Sequence, residues 1–259
     1  MNSLREYFLK NDKRLIHKWD HYFEIYDRHF SRYKGKEVVI LEIGVSHGGS
    51  LQMWKDYFGS KAIIYGVDIN PSCKELEEEN ISIFIGSQSD RNFLRELKSK
   101  VGKVDILIDD GGHMVQQQIV SFEELYSIVA NDGIYLCEDV HTSYWLRFGG
   151  GVQRSGTFIE YSKNLIDHLN AYHSEQKSRL DVTEFTNNTD SIHFYDSVVV
   201  LEKRIKSAPF HLKRGEIIID HVVPEKGPAK KFLNSILIPI LVSFNKVLRF
   251  FRLPSIYWK

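Results

Sequence analysis

Residues 38–50 read Val-Val-Ile-Leu-Glu-Ile-Gly-Val-Ser-His-Gly-Gly-Ser, and residues 62–68 read Ala-Ile-Ile-Tyr-Gly-Val-Asp. Each stretch contains a short apolar run typical of a buried β-strand, and the first continues into a glycine-containing turn and a helical pattern. Similar apolar runs follow at 81–85, 104–110 and 134–139, with helical segments between them. Strands that alternate with helices predict a parallel sheet with right-handed crossovers, so we expect an α/β fold.

The segments on either side of these strands predict three further parts. Residues 12–32 carry aromatic side chains at helical spacing, which predicts an amphipathic helix with its aromatic stripe in the core. Residues 158–172 predict another helix, and residues 190–203 predict a closing hairpin that brings the sheet to seven strands. We therefore expect an N-terminal helical cap (1–35), a main domain (36–205) and a C-terminal extension with a basic amphipathic helix (206–259).

The composition is that of an ordinary folded protein. Of the 259 residues, 42% are hydrophobic and 26% are charged, and 34 basic residues balance 34 acidic ones. A net charge of zero provides no overall basic field, so we expect no nucleic-acid partner. Two cysteines cannot form a disulfide framework, and the first residues lack the apolar core of a signal peptide. These features predict a cytoplasmic location.

The residues that end the strands are polar, and ligands of open parallel sheets bind beyond these carboxyl ends. The glycines from Gly44 onward would let the backbone approach a ligand, and the carboxylate of Asp68 suits a ribose diol. Both features predict a nucleoside-containing cofactor. The dinucleotide pattern Gly-x-Gly-x-x-Gly and the phosphate-binding loop are missing, which favours S-adenosylmethionine over NAD and ATP.

Asp110, His113, Glu138 and Asp139 follow two strands that the topology makes neighbours. Converging carboxylates repel one another unless a cation or a proton neutralises them, and all-oxygen ligation favours Mg²⁺, with Mn²⁺ as the other candidate. His113 is then a candidate general base for a metal-bound hydroxyl. The simpler alternative is that these side chains only cap the helices that follow.

These motifs resemble those of the class I S-adenosylmethionine-dependent methyltransferases. Within that group they are similar to the metal-dependent sugar O-methyltransferases of the macrolide mycinose pathway (the MycE type) and the related rhamnosyl O-methyltransferase and cephalosporin hydroxylase family. The matching motifs are Leu41–Val45 with Gly48–Ser50, Tyr65–Asp68, Ile108–His113 and Glu138–Trp145. The resemblance covers roughly residues 12 to 205 and implies a Rossmann-like class I fold and methyl transfer to a sugar hydroxyl. Gly112 stands where the family pattern has serine.

The resemblance also implies roles for individual residues. Asp110, Glu138 and Asp139 would hold Mg²⁺, and His113 would be the general base. The candidate cofactor-binding residues are Glu42, Gly44, Ser50, Asp68, Ser87, Gln88, Asp90 and Asp109. His141, Tyr144 and Trp145 follow the strand that ends in Asp139 and could wall the pocket of an acceptor sugar or glycoside, because aromatic faces stack on sugar rings, although Tyr144 and Trp145 could equally anchor a packed loop. Lys18, His21 and Tyr22 on the first helix could close the site from above, although a helical aromatic stripe is more often part of the core.

The C-terminal segment differs in character from the rest of the chain. Residues 229–259 contain six basic residues and no acidic one, and residues 232–251 are mostly apolar, with Pro239 interrupting them. This pattern suits an interfacial helix on the anionic inner face of a membrane, where the acceptor would be lipid-linked. A dimerisation or self-packing helix, and hence a homo-oligomer, is an equal alternative.

Two other functional classes stay open at this point. An oxygenase at the same site would need a redox metal held by two histidines and one carboxylate, for which His141 is the only obvious local second histidine. A non-catalytic membrane-binding or partner-binding protein on the same fold is the third class. The full set of candidate catalytic residues makes this third class less attractive.

Overall fold

The computed structural model describes residues 3–219, 227–251 and 256, in two compact units, 1–209 and 210–259. The helices are α1 (Ser3–Lys10), α2 (Tyr22–Phe30), α3 (Gly49–Phe58), α4 (Arg91–Val101), α5 (Val115–Leu125), α6 (Phe158–Leu169), α7 (Glu184–Asn188) and α8 (Pro228–Phe250). The strands are β1 (Val39–Ile43), β2 (Ile63–Asp68), β3 (Ile81–Ile85), β4 (Val104–Asp109), β5 (Val129–Cys137), β6 (Thr189–Tyr195) and β7 (Val198–Lys203).

The seven strands form one sheet in the order β3-β2-β1-β4-β5-β7-β6. The first five strands in this order are parallel, and β7 runs antiparallel to both of its neighbours. The predicted α/β fold with a mostly parallel sheet is confirmed. The chain steps outward in opposite directions from β1 and β4, so the loops after these two strands open a crevice at the carboxyl edge of the sheet.

The register of β1 and β4 places the key loops side by side. Ile43 pairs with Asp109, the last residue of β4. The backbone N–H of Asp110 donates a hydrogen bond to the Ile43 carbonyl at 2.9 Å. Gly44 and Asp110 therefore begin adjacent loops over the crevice.

Both faces of the sheet are covered by apolar side chains, which explains why its strands read as continuous apolar runs. Ile106 belongs to the core on one face, together with Tyr26 and Trp54. Its neighbour Leu107 belongs to the core on the other face, together with Phe122. The N-terminal helix α2 thus packs into the same core as the sheet.

The helix predicted over residues 12–32 is wrong in its first half, because α2 begins only at Tyr22. Upstream of it, Leu15 and Trp19 are 61% and 55% exposed rather than part of a core stripe. This segment instead makes tertiary contacts, since Ile16 is buried and the Arg14 side chain donates to the Leu76 carbonyl at 3.0 Å. Such contacts override helical periodicity, which is a weak predictor by itself.

Candidate active site

A cavity of about 250 Å³ lies beyond the ends of the parallel strands, and four of the predicted cofactor residues line it: Gly44, Asp68, Ser87 and Gln88. Asp68 is held by two backbone N–H groups, because Oδ2 accepts from Ser46 and Oδ1 accepts from Asn70, each at 2.9 Å. Carboxylate oxygens have further lone pairs, so Asp68 can still accept from a diol.

Gly44 allows the backbone loops on either side of the crevice to meet. It has a φ of +98°, and a Cβ atom at this position would lie 2.0 Å from the Asp110 carbonyl oxygen. Next to it, the Gln88 side chain bridges the loop after β4, because Nε2 donates to Asp109 at 3.0 Å and Oε1 accepts from the Gly112 N–H at 2.6 Å. The floor of the cavity is therefore backbone that the Gln88 side chain holds together.

Gly44→Ala is expected to destroy this floor. The substitution imposes a left-handed conformation on alanine and a clash with backbone. Gly35→Ala imposes only the conformation, since Gly35 has a φ of +70° and no atom lies within 4 Å of the point that a Cβ would occupy. This control should cost about 1–2 kcal/mol. Thermal unfolding and cofactor titration measure the difference, and equal behaviour of both variants would contradict the close approach.

The other four predicted cofactor residues lie outside the lining of this cavity. Glu42 is buried, and its Oε2 accepts from Ser50 at 3.0 Å and from Trp54 Nε1 at 3.1 Å. Asp90 caps the first turn of α4, and Asp109 is buried beneath the loop. Burial raises the pKa of both Glu42 and Asp109 to about 7. Direct contact of these residues with a cofactor stays a prediction.

The structure brings Asp110, His113 and Asp139 together, and one potential ligand atom of each lies within 4.8 Å of the others. His113 Nε2 is 3.4 Å from Asp139 Oδ2 and 3.8 Å from Asp110 Oδ1. His113 and Asp139 both adopt left-handed backbone conformations, with φ of +57° and +52°. Such strain in non-glycine residues is concentrated at functional sites, which supports a role for this cluster.

Glu138 lies deeper and is paired with Lys18, whose side chain is only 3% exposed. Lys18 Nζ lies 2.9 and 3.0 Å from the two Glu138 oxygens, 2.5 Å from Asp110 Oδ2 and 3.8 Å from Glu42 Oε1. Tyr26 also donates to Glu138, at 2.7 Å. Burial lowers the pKa of Lys18, but the charges of Asp110, Glu138 and Glu42 outweigh burial and raise this pKa well above its usual value.

The donor set fits a divalent metal ion. Burial, followed by the charge of Asp110, raises the pKa of Glu138 well above its usual value, although Lys18 and Tyr26 oppose this rise. Lys18 pairs with Asp110 and Glu138, and no lysine or arginine of the described residues pairs with Asp139, so three carboxylates face one ammonium and the cluster is short of positive charge. Carboxylate oxygens are ligands that Mg²⁺ or Mn²⁺ accepts, and a bound cation would supply the missing charge.

A smaller cavity of about 110 Å³ opens on the other side of the carboxylates, with Lys18, Trp19, Tyr22 and Asp139 in its lining. The Tyr22 hydroxyl donates to Asp139 Oδ1 at 2.7 Å. Trp19, which helical spacing assigned to the core, was therefore missed as a site residue. Its helical spacing gave no sign that it is exposed, because the exposure of Trp19 follows from the irregular segment before α2.

The predicted acceptor residues lie beside Asp139. The ring centroids of His141 and Trp19 are 6.0 Å apart, and those of His141 and Trp145 are 4.7 Å apart. His141 Nδ1 bonds the Ser197 hydroxyl and lies 3.9 Å from Asp139 Oδ1. Tyr144 is half-exposed on the same turn. Together these aromatic groups form a wall at the edge of the carboxylate cluster.

Comparisons with known proteins find relatives with similar sequences and a similar fold. The chain is 35% identical over 207 residues to the 8-demethyl-8-alpha-L-rhamnosyl tetracenomycin-C 2'-O-methyltransferase of Streptomyces olivaceus, covering 76% of this chain and 53% of the relative. It is also 35% identical to the demethylmacrocin O-methyltransferase of Streptomyces fradiae, covering 74% and 52%. A solved MycE methyltransferase from the mycinamycin biosynthetic pathway, in complex with Mg and SAH, superposes with a TM-score of 0.70 at 33% identity, covering 79% of this chain and 54% of that one.

This chain belongs to the class I methyltransferases. Its fold and its family were both predicted correctly from the sequence motifs. No family model matches the chain. The chain spans about half the length of the curated methyltransferases it matches.

Among residues 3–219, 227–251 and 256, no helix combines the length and the hydropathy needed to cross a bilayer. The cytoplasmic location stays a prediction.

Proposed function

We propose that this chain transfers the methyl group of S-adenosylmethionine to a sugar hydroxyl in a reaction that needs Mg²⁺ or Mn²⁺. One observation carries the proposal. A cavity of about 220 Å³ lined by Gly44, Asp110, His113 and Asp139 shares Gly44 and Asp110 with the cavity that contains Asp68. The cavity that contains Asp68 thus adjoins the carboxylate and histidine cluster.

Asp68 would hold the ribose of the cofactor, and Gly44, Ser87 and Gln88 would line its site. S-adenosylmethionine supplies an electrophilic methyl group on a sulfonium ion when it is bound. The shared boundary at Gly44 and Asp110 would let that end of the cofactor face Asp139 and His113. Alignment of an acceptor oxygen with the methyl group accounts for part of the rate enhancement.

Asp110, Glu138 and Asp139 would hold the metal ion, which polarises an acceptor hydroxyl and lowers its pKa when it is bound. His113 would then take the hydroxyl proton at Nε2, the nitrogen that faces Asp110 and Asp139. His113 Nδ1 is buried and has no hydrogen-bond partner among the described residues. The orientation of the ring therefore rests on its backbone and on contacts at Nε2.

The acceptor would be a sugar of a glycoside. One relative is named for 2'-O-methylation of a rhamnosyl tetracenomycin, and one solved MycE complex contains mycinamycin VI in addition to Mg and SAH. In this chain, Trp19, His141 and Trp145 offer ring faces beside Asp139, and aromatic faces are suitable surfaces for the apolar face of a sugar. This placement supports an acceptor held between the aromatic wall and the carboxylates.

The test is methyl transfer from S-adenosylmethionine with a labelled methyl group to a panel of glycosides with free vicinal hydroxyls. The proposal expects labelled product with Mg²⁺ and none with EDTA. Full activity in EDTA would show that methyl transfer does not require a metal ion. If no glycoside were methylated but a catechol were, the acceptor would be a small phenol and not a sugar.

His113→Gln is expected to lower kcat by about a hundredfold to ten-thousandfold, because a positioned general base contributes about that much. Glutamine keeps a polar side chain of similar reach but cannot take the proton. Calorimetry should show nearly unchanged binding of S-adenosylmethionine. His173→Gln, in a short helical turn outside the site, is the matched control and should leave kcat unchanged. An unchanged kcat for His113→Gln would exclude His113 as the base.

Neither alternative class is supported. The relatives are named O-methyltransferases rather than oxygenases. The second histidine that an oxygenase would need, His141, is engaged with Ser197 in the structure. The catalytic candidates are assembled rather than scattered, which disfavours a purely binding role.

A further inference from the structure

Helix α8 in the C-terminal unit has a broad apolar face. Viewed down the helix axis, Ile236, Ile240, Phe244 and Val247 fall on one side at spacings of three and four residues. Asn234, Ser235, Asn245 and Lys246 fall on the opposite side. Ile238 and Val242 also lie toward this second side, so the apolar face is broad and the polar side is narrow.

The apolar face of α8 is open to solvent. Ile240, Phe244 and Val247 are 58%, 49% and 52% exposed, and Phe232 is 69% exposed. Contiguous exposed apolar surface of this kind marks an interaction site. Among the described residues of this C-terminal unit, none covers this face.

The positive charge of the segment around α8 indicates an anionic partner. Residues 227–259 contain six lysines and arginines and no aspartate or glutamate. Two copies packed through α8 would bring like charges together, which opposes self-association through this segment. A bilayer with anionic headgroups offers both an apolar interior for the face and negative charge for the cations.

The helix is not built to span a bilayer. Pro239 lies inside α8, and Lys246 interrupts its apolar residues. At 1.5 Å per residue its 23 residues extend about 34 Å, a length that can lie in the plane of the interface. No described helix meets the requirements of a membrane span.

We propose that α8 lies in the interface of an anionic lipid bilayer, with the face around Ile240 and Phe244 in the acyl boundary and the cations toward the headgroups. This binding does not depend on the proposed function. Its consequence does rest on that function, since a sugar methyltransferase held at this surface would act on lipid-linked glycans.

The test is co-sedimentation of the full chain with vesicles of phosphatidylcholine alone and vesicles of equal parts phosphatidylcholine and phosphatidylglycerol. The proposal expects binding to the anionic vesicles that weakens with added salt, and little binding to the neutral ones. Equal binding to both, or to neither, would overturn it. Because the assay does not measure methyl transfer, its outcome is separate from the test of the proposed function.

Ile240→Asp and Ser235→Asp separate the apolar contribution from the charge. Each adds one negative charge, but only Ile240→Asp breaks the apolar face. Ser235→Asp should weaken binding by about fivefold, and Ile240→Asp by at least about tenfold more. Circular dichroism and light scattering of both variants check folding and oligomeric state. Equal weakening by the two variants, or a dimer that only Ile240→Asp disrupts without vesicle binding by the original chain, would contradict the membrane surface.

Discussion

Asp139→Asn is expected to reduce methyl transfer by roughly three orders of magnitude, because loss of metal polarisation removes several kcal/mol of transition-state stabilisation. Asparagine keeps the shape of the side chain and can still accept the hydrogen bond that Tyr22 donates at 2.7 Å. It removes the negative charge that faces His113 at 3.4 Å. The fold should therefore survive while metal affinity and activity fall.

The measurement is kcat/KM with saturating Mg²⁺ for this variant and for Asp56→Asn, which lies on the exposed side of α3. The control should match the original chain. Calorimetric binding of S-adenosylmethionine should persist in Asp139→Asn, because Asp68 and Gly44 lie in the neighbouring cavity. Activity within a few-fold of the original would show that Asp139 does not hold the metal.

Lys18→Met is expected to destabilise the metal-free chain by about 3–5 kcal/mol, because it leaves the buried charges of Asp110 and Glu138 without their ammonium partner. For a chain of this size the loss corresponds to a fall in Tm of roughly 10 °C. Mg²⁺ should restore much of that loss. Affinity for Mg²⁺ should rise about tenfold or more, because a positive charge at the same carboxylates no longer opposes the ion.

Thermal unfolding with and without Mg²⁺, together with calorimetric titration of the metal, checks both parts of this prediction. Lys18→Arg keeps the positive charge and should show much smaller changes. Lys13→Met lies in the same segment but is exposed, and should change neither Tm nor metal affinity. A stable Lys18→Met variant with unaltered metal affinity would mean that Lys18 and the metal do not share the carboxylates.

The sequence predicted the sheet and the residues at its edge because both are local patterns. Apolar runs such as Val39–Ile43 mark strands directly, and parallel pairing brings the ends of β1, β4 and β5 to one edge. This is why Asp68, Asp110 and Asp139 were placed correctly beside the crevice. The turn containing Gly44 was marked by the same pattern.

The contacts that complete the site were less predictable because they join distant parts of the chain. Tyr22 meets Asp139 across 117 positions, and Lys18 meets Glu138 across 120. Helical spacing continues upstream of α2, so the sequence predicted that Trp19 lies in a buried stripe. In the structure, tertiary contacts fix the segment before α2 in an irregular conformation, and Trp19 is exposed. Periodicity indicates local amphipathicity, but it does not predict that the Lys18 ammonium pairs with the carboxylates of Asp110 and Glu138.

Calorimetric titration of S-adenosylmethionine and of Mg²⁺ into the purified chain, with Asp139→Asn in parallel, is the decisive measurement. We expect the original chain to bind both, and the variant to retain the cofactor and lose the metal. If the original chain bound neither, the claim that the cavity at Asp68 and the cluster at Asp139 form one methyl-transfer site would be contradicted.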